Sequence, residues 1–525
     1  MTAITDPQSP PADTGAELHV RVAVVGAGLA GIAAAVKLRQ AGITDYVVLE
    51  KAERVGGTWR DNTYPGCGCD IPSPVYSFSF NPNPRWRTNF ALQPEILSYI
   101  ESTVDTFGLL PKIRLSTELI EAAWSEQRQR WVLDTTGGRY VAQHVIFAAG
   151  PITEPKVPAI PGLEHFQGEV FHSARWNHDL ELRGKKVAVI GTGASAVQFV
   201  PEIQPDVGQM YVFQRTPSWV VPRLDFPFPK VAQAVFRRIP HAQRGLRAFL
   251  DVILRTLSML MRRERTARML NPIGTGLLKA QVSDPALRAA LTPDFTLGCK
   301  RLLLSNTYLP ALSKPNVELV PHALVSVDER HVVAADGTSR EADVIIFGTG
   351  FDVSHPPIAS RIRRRDGRLL SEDWAVSPEA YLATTVPGAP NAYILLGPNI
   401  LVYNSFLDLA EAQLDYIVDA LVATDRAGIE TIEIREEPFR TFNEEVQAGL
   451  APTVFNNGGC SSYYLDARGK NFAAWPFSTG SLRQRLSRFD LPNYHAALAS
   501  DVRPTAGNVS STVDHHAEGQ QLTAG

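Results

Sequence analysis

Two stretches of the chain share one pattern: a short apolar run, a cluster of glycines, and a longer segment with apolar residues at helical spacing. The first is RVAVVGAGLAGIAAAVKLRQAG, residues 21–42, and the second is KKVAVIGTGASAVQFVPEI, residues 185–203. An unbroken apolar run is typical of a strand that is buried on both faces of a parallel sheet. Each stretch therefore predicts a strand, a tight turn and a helix.

Two further stretches predict β-hairpins. The first is WVLDTTGGRYVAQHVIFAAG, residues 131–150, with its turn at Gly137 and Gly138. The second is HVVAADGTSREADVIIFGTGFD, residues 331–352, with its turn at Asp336 and Gly337. Each hairpin would close one Rossmann-type sheet with a β-meander. The predicted fold class is α/β, with two nested Rossmann-type dinucleotide-binding domains, β-meanders and a helical insertion.

The glycines of the first stretch fit the binding of a dinucleotide. Gly26 permits the tight turn, Gly28 lets the backbone approach a pyrophosphate, and Gly31 lets the helix pack closely on the strand. The N-terminus of that helix faces the phosphate charge. The next strand, YVVLE, ends in Glu50, whose carboxylate can accept hydrogen bonds from ribose hydroxyl groups. These features predict an FAD site.

The second stretch repeats this cradle with one change. The strand that follows it, MYVFQRT, ends in Arg215 and Thr216, where the first copy has an acid. An Arg at this point suits a 2′-phosphate, which it binds through charge-assisted hydrogen bonds. We therefore predict an NADPH site that consists of Gly191, Thr192, Gly193, Ala194, Ser195, Ala196, Arg215 and Thr216.

Composition excludes several classes of protein. The 525 residues are 44% hydrophobic with a net charge of −3, which favours no nucleic-acid partner. The N-terminal residues lack a signal-peptide pattern, and the most apolar stretch, residues 249–261, is too short to span a bilayer. We therefore expect a cytoplasmic protein without a transmembrane segment or a metal site. Four cysteines make no disulfide framework, so we expect reduced thiols.

A longer motif carries a resemblance to a known family. Phe166, Gly168, His172 and Trp176 resemble the fingerprint of the Baeyer–Villiger monooxygenases, Phe-x-Gly-x-x-x-His-x-x-x-Trp followed by Pro or Asp. Asn177 departs from the last position of that fingerprint. The flavin-containing monooxygenases that oxidise N and S atoms carry Tyr or Phe in place of Trp176. The resemblance extends from about residue 20 to about residue 490.

A second fingerprint of the same family is similar to GGTWRDNTYPGCGCD, residues 56–70. The match covers Gly57 and Trp59, a Tyr-Pro-Gly turn, and Asp70 four residues after that turn. The resemblance implies that this loop lies against the flavin. It places Gly57, Thr58, Trp59, Asp70 and Tyr76 in the FAD site.

The resemblance also implies a reaction. In this family NADPH reduces FAD, the reduced flavin forms a peroxide with O2, and one oxygen atom is inserted beside a ketone carbonyl to give an ester or lactone. Arg301, in LGCKRLLLSNTYLPAL, would stabilise the peroxide and would pair with Asp70, since an unpaired buried charge is costly. Lys300 would join Arg215 at the 2′-phosphate. The catalytic candidates are Arg301, Asp70 and His172, the last as a coupler of domain motion and not as a proton donor.

The same resemblance orders the domains along the chain. Residues 460–476 resemble a mobile segment that closes on NADP, with Tyr463 or Trp475 as its aromatic contact, and residues 395–399 return to the FAD. The Arg-rich insertion is open to three interpretations: a lid over the substrate channel, a surface insertion, or a peripheral membrane helix. The predicted organisation is a disordered tail at 1–17, an FAD-binding domain at 18–150 and 380–498, a linker at 151–166, an NADPH-binding domain at 167–222 and 299–379, the helical insertion at 223–298 and a second tail at 499–525.

Three other functions are compatible with two dinucleotide sites. An N- or S-oxygenating flavin monooxygenase would use the same cofactors, but Arg301 with Asp70 favours ketone oxidation. A flavin disulfide reductase needs a Cys pair of different spacing from Cys67-x-Cys69. A non-catalytic NADPH-binding flavoprotein would lack turnover with NADPH and O2. The sequence leaves the identity of the ketone and the oligomeric state open.

Overall fold

The computed structural model describes residues 17–401 and 404–498. The two predicted tails therefore lie outside the described residues, except for Glu17. The strands are β1 (Leu18–Val25), β2 (Tyr46–Leu49), β3 (Ile113–Arg114), β4 (Leu119–Ser125), β5 (Arg130–Thr135), β6 (Gly138–Phe147), β7 (Glu169–His172), β8 (Lys186–Ile190), β9 (Gln209–Phe213), β10 (Val220–Val221), β11 (Leu303–Leu304), β12 (Val317–Val320), β13 (Leu324–Val327), β14 (His331–Ala334), β15 (Ser339–Glu341), β16 (Val344–Phe347), β17 (Ile362–Arg363), β18 (Ala392–Ile394), β19 (Ile429–Ile434) and β20 (Tyr494–Leu498).

The helices alternate with these strands through most of the chain. They are α1 (Leu29–Gln40), α2 (Thr58–Asp61), α3 (Gln93–Thr106), α4 (Ala194–Ile203), α5 (Lys230–Arg238), α6 (Pro240–Arg262), α7 (Glu264–Arg268), α8 (Asn271–Gln281), α9 (Pro285–Ala290), α10 (Tyr308–Leu312), α11 (Leu370–Trp374), α12 (Phe406–Ala427), α13 (Glu436–Leu450), α14 (Val454–Asn457) and α15 (Thr479–Arg485). Helices α5 to α9 lie in the predicted insertion at 223–298, which is helical as expected.

The first sheet contains the first glycine cradle. Its strand order is β17-β4-β5-β6-β1-β2-β3, and β18 also pairs with β6. β1 runs parallel to β2 and β6, and the meander β4-β5-β6 is antiparallel. The hairpin turn joins Thr135 to Gly138, as the sequence predicts. The apolar run of β1 is buried on both faces from Val22 to Val25, which is typical of a parallel sheet with helices on both sides.

The second sheet contains the second cradle and is parallel throughout. Its order is β12-β9-β8-β16-β7. The second meander, β13-β14-β15, forms a three-stranded antiparallel sheet of its own. In the first sheet the ten-residue β6 is long enough to pair with both the meander and β1. In the second meander the corresponding strand, β15, has only three residues and pairs with β14 alone. The meander and the parallel sheet that contains β16 are therefore separate sheets.

The chain returns to the first sheet earlier than the sequence suggests. β17, at Ile362–Arg363, pairs with β4, and Trp374 of α11 packs in the same hydrophobic cluster as Trp124 and Trp131. The chain therefore re-enters the first sheet by Ile362, before the predicted domain boundary at residue 380. A two-residue strand has no periodicity for sequence analysis to detect, which explains the displaced boundary.

Helix α4 of the second cradle packs directly against the loop at 57–70. The ring of Phe199 lies 5.3 Å from the ring of Trp176 and 6.2 Å from that of Tyr64, centre to centre. The side chain of Gln198 accepts hydrogen bonds from the Tyr64 hydroxyl and the Gly68 backbone N–H, and donates to the Gly68 carbonyl. Phe199 thus contacts Trp176 of one family fingerprint and Tyr64 of the other. Through these contacts the helix of the second cradle is joined to the loop that follows the first cradle.

Replacement of Phe199 by Ala should weaken this connection. The side chain is fully buried, so truncation leaves a cavity, and we expect a loss of about 3–5 kcal/mol in stability. The midpoint of thermal unfolding measures the effect. Phe249→Ala is the matched control, because 62% of Phe249 is exposed. Equal midpoints for the two variants would contradict the structural role of Phe199.

Candidate active site

The first cradle has the geometry that a pyrophosphate requires. Gly26 has φ +107°, and a Cβ there would lie 2.7 Å from the carbonyl oxygen of Ala148. A Cβ on Gly31 would lie 1.8 Å from the carbonyl oxygen of Gly26, so only glycine fits. Gly28 is the N-cap of α1 and no side chain caps the helix. The N–H groups of its first turn therefore remain available for an anion.

Glu50 stabilises the same cradle from the end of β2. It is only 4% exposed, and its carboxylate accepts hydrogen bonds from the backbone N–H groups of Ala27 and Ala52 at 2.8 and 3.0 Å. Arg60 of α2 adds an ion pair at 2.9 Å. Since each carboxylate oxygen can accept two bonds, Ala52 and Arg60 fill Oε1, and Oε2 can accept one further bond from a ribose hydroxyl.

The second cradle reproduces this geometry around α4. Gly191 has φ +105°, and a Cβ there would lie 2.8 Å from the carbonyl oxygen of Gly348. Gly193 is the uncapped N-cap of α4. Thr192 precedes it, and the first helical turn holds Ala194, Ser195 and Ala196. Both cradles therefore fit a bound dinucleotide phosphate.

Three polar residues cluster at the far end of the second cradle. The Nζ of Lys300 lies 3.4 Å from the Oγ1 of Thr216 and 4.8 Å from the ring centre of Phe295. Burial, reinforced by the positive charge of Arg215, lowers the pKa of Lys300. A dianion such as a 2′-phosphate would stabilise the positive charges of Lys300 and Arg215 together.

Arg301 and Asp70 form a two-bond fork, although they are 231 residues apart in the chain. The Nε of Arg301 donates to one carboxylate oxygen at 2.7 Å, and the Nη2 donates to the other at 2.6 Å. Burial raises the pKa of Asp70, but the charge and hydrogen bonds of Arg301 outweigh it and hold that pKa below its usual value. Asp70 in turn raises the pKa of Arg301 well above normal, against the effect of burial. Both groups are therefore charged at neutral pH.

A cleft of about 840 Å³ opens beside Arg301. Its walls are mainly apolar, with Ile152, Trp374 and Leu396 among the lining residues. Tyr463 also lines the cleft and is half exposed, whereas Trp475 is buried beside Phe442 and Phe477. Of the two aromatic candidates in residues 460–476, Tyr463 is therefore the one beside Arg301.

The flavin-contact candidates belong to the loop that carries Asp70 or contact that loop. Gly57 has φ +53°, and a Cβ there would lie 3.0 Å from the Cα of Gly28, so the loop lies directly against the first cradle. Thr58 begins α2. The indole N–H of Trp59 donates to the hydroxyl of Tyr76 at 3.0 Å. Burial raises the pKa of Tyr76, so its hydroxyl stays protonated.

His172 ends β7 and is buried in the second sheet. Its Nδ1 accepts a hydrogen bond from the backbone N–H of Ala174, and its ring packs edge-on against Phe351. Burial lowers the pKa of His172 to about 4. The imidazole is therefore neutral at physiological pH, which favours a positioning role and not proton transfer.

Two residues of this region have no signal in the sequence. Gln198 binds the loop at 57–70 from α4, and Arg223 lies close enough to Asp70 to lower its pKa further. Arg223 also donates to the carbonyl of Phe90 and stacks 5.2 Å from that ring. Neither residue belongs to a motif, so only the folded arrangement identifies them.

The cysteines differ from the expectation of four reduced thiols. Cys299 and Cys460 form a disulfide, although 161 residues separate them. The expectation was wrong because the total count does not reveal that the fold brings these two Cα atoms to 6.1 Å. Cys67 and Cys69 are free and buried. Burial raises the pKa of Cys67 to about 12, and also raises that of Cys69, so neither thiol is a ready nucleophile.

The fold and the two cradles define the class of protein as a two-dinucleotide oxidoreductase. Residues 23–227 match the family model described as pyridine nucleotide-disulphide oxidoreductase. That model spans both cradles and the loop at 57–70. Among residues 17–401 and 404–498, no cluster of three or more His, Cys, Asp or Glu side chains is placed to hold a metal ion.

Similar proteins identify the family more narrowly. A Baeyer–Villiger monooxygenase of Streptomyces coelicolor is 47% identical over 94% of this chain and 95% of its own. A cyclohexanone monooxygenase from Rhodococcus sp. Phi1 bound to NADP+ superposes with a TM-score of 0.80 at 27% identity, covering 92% of this chain and all of the other. OTEMO in complex with FAD and NADP gives a TM-score of 0.81 at 25% identity, with 92% and 100% covered. The chain belongs to the Baeyer–Villiger monooxygenase family.

The cluster at Arg215 predicts a preference for NADPH. Arg215→Gln should raise KM for NADPH about 10- to 100-fold, because a hydrogen bond to a charged group is lost, and should leave KM for NADH unchanged. Steady-state kinetics with both nucleotides measure this. Arg183→Gln is the control, since Arg183 is an exposed Arg of the same domain. An equal change for NADH and NADPH would mean that Arg215 does not contact the 2′-phosphate.

The disulfide predicts a defined pattern of thiol labelling. Alkylation of acid-quenched, denatured protein should modify two cysteines without reductant and four after reduction. Cys299→Ser should expose Cys460 and give three labels without reductant. Mass spectrometry counts the labels. Four labels on the untreated protein would show that Cys299 and Cys460 are reduced in solution.

Proposed function

We propose that this protein is an FAD- and NADPH-dependent monooxygenase that inserts one oxygen atom from O2 next to a ketone carbonyl, giving an ester or lactone. The observation that carries the proposal is the fork between Arg301 and Asp70 beside an apolar cleft. Membership of the Baeyer–Villiger family supports the reaction type. Both cradles fit the dinucleotides that the reaction needs.

FAD, once reduced by NADPH, supplies the activation of O2. The chain's own residues bind the two nucleotides, orient the ketone and exclude water. Arg215, Thr216 and Lys300 would bind the 2′-phosphate of NADPH, and their charge supports this role. The loop at 57–70 would hold the flavin against the first cradle, because Gly57 meets Gly28 there.

Arg301 would stabilise the negative charge that develops on the ketone oxygen during oxygen insertion. A guanidinium suits this position because it cannot lose its proton to a basic reaction partner. Asp70 accepts hydrogen bonds from two N–H groups of Arg301, and the remaining N–H groups of Arg301 are available to the reactants. The apolar walls of the cleft keep water away, which strengthens the interaction between the guanidinium and the developing charge.

Arg301→Ala tests this role. The variant should keep its yellow FAD and still be bleached by NADPH, but ester formation should fall by at least about 100-fold, as with loss of an oxyanion donor. Product mass and NADPH consumption are measured with a panel of ketones and one sulfide. Asp70→Asn should give a milder defect, because Arg301 loses its orienting partner but keeps its charge.

Arg340→Ala is the matched control. Arg340 of β15 forms the same two-bond fork with Glu318 of β12, which links the second meander to the second sheet and lies outside the cleft. Ester formation by this control should be normal. Normal ester formation by Arg301→Ala would refute the role of Arg301, and sulfide oxidation without any ester would favour an N- or S-oxygenating enzyme.

A further inference from the structure

The surface of the insertion is unusually apolar. Twelve of the 22 exposed large hydrophobic side chains among the described residues lie between Leu224 and Ile273. Five of them lie on α6 at helical spacing, and between 39% and 62% of each is exposed. We call this set the α6 stripe; it consists of Phe249, Val252, Ile253, Met259 and Leu260. Their spacing places them on one face of the helix, away from the protein.

The opposite face of α6 contains polar residues that bind the rest of the protein. Gln243 donates to the carbonyl of Asn83, and Arg247 donates to the carbonyl of Ser77. Asp251 accepts a hydrogen bond from Asn404 at 3.1 Å, and it pairs with Arg255. These four residues recur every fourth position and fix the orientation of the helix. The apolar stripe is therefore held outward and does not need a rearrangement to become exposed.

The charge around the stripe is strongly positive. Residues 223–298 contain thirteen Lys and Arg but only five Asp and Glu, a formal charge of +8 in a chain whose total is −3. Arg237, Arg238 and Arg244 are exposed before the stripe begins, and Arg263 is exposed just after it ends. An apolar helix face flanked by cations is the pattern of a helix that lies in a membrane interface.

We propose that the α6 stripe docks this enzyme on an anionic lipid surface, with α6 parallel to the membrane plane. The apolar side chains would enter the boundary between headgroups and acyl chains, and the flanking arginines would bind lipid phosphates. The helix lies on the membrane and does not cross it. No helix within the described ranges has the length and the apolar character needed to span a bilayer.

Charge argues against a second copy of the chain as the occupant. A two-fold interface brings the same patch of each subunit together, so the arginines around one stripe would face those around the other. Such like-charge contacts are unfavourable, whereas an anionic surface neutralises them. A lid over the substrate channel would not explain why the apolar side chains point away from the protein.

Vesicle sedimentation with the FAD-loaded enzyme tests the proposal. Phosphatidylcholine vesicles that contain phosphatidylglycerol should bind at least about tenfold more enzyme than phosphatidylcholine alone, and high salt should reduce the difference. The combined variant Phe249→Ser, Val252→Ser and Ile253→Ser should lose binding to both vesicles. Arg237→Gln with Arg238→Gln should lower binding to the anionic vesicles about tenfold or more and leave neutral vesicles unaffected. Turnover of a water-soluble ketone should be unchanged in both.

A matched control replaces exposed apolar residues elsewhere. Leu110→Ser, Ile120→Ser and Val325→Ser remove three side chains of comparable exposure outside the insertion and should bind vesicles normally. Equal weak binding to both vesicle types by the unmodified enzyme would overturn the proposal. It would also be overturned if light scattering found a dimer that the α6 variant dissociates, since a second copy would then cover the stripe.

Discussion

The fork between Arg301 and Asp70 is the interaction on which the candidate site depends. It joins the loop after the first cradle to the segment that follows the helical insertion, 231 residues further along the chain. A partly buried charge beside an apolar cleft is stabilised by a partner of opposite charge, and a two-bond fork also fixes the plane of the guanidinium. The position of Asp70 therefore determines where Arg301 can act.

Asp70 in turn depends on packing between the two cradles. Gln198 binds the loop at Gly68, and Phe199 packs against Tyr64 from the same helix. Gly66 has φ +74°, and a Cβ there would lie 2.8 Å from the carbonyl oxygen of Gln198, so the loop approaches the backbone of α4 closely. The same helix begins at the uncapped cradle for the second nucleotide. Nucleotide binding and the orientation of Asp70 thus share one structural element.

Features encoded in consecutive residues could be predicted from the sequence, whereas most long-range contacts could not. The cradles at Gly26 and Gly191 and the hairpin at Gly138 follow from local sterics, and the structure contains them where they were expected. The pairing of Arg301 with Asp70 was inferred from family resemblance, because no local pattern links them. The contacts of Gln198 and the bond between Cys299 and Cys460 had neither kind of signal. The low number of cysteines favoured reduced thiols, whereas Cys299 and Cys460 are oxidised to a disulfide.

The disulfide gives the cleft a second constraint. Cys299 lies two residues before Arg301, and Cys460 lies three residues before Tyr463. Both Arg301 and Tyr463 line the cleft, so the covalent bond connects the segments that carry them. The bond therefore limits how far residues 460–476 can separate from the segment of Arg301, while the fork independently fixes the guanidinium against Asp70. Arg301 is thus constrained twice, through its backbone by a covalent bond two residues away and through its side chain by an ion pair, and the two constraints act on different atoms.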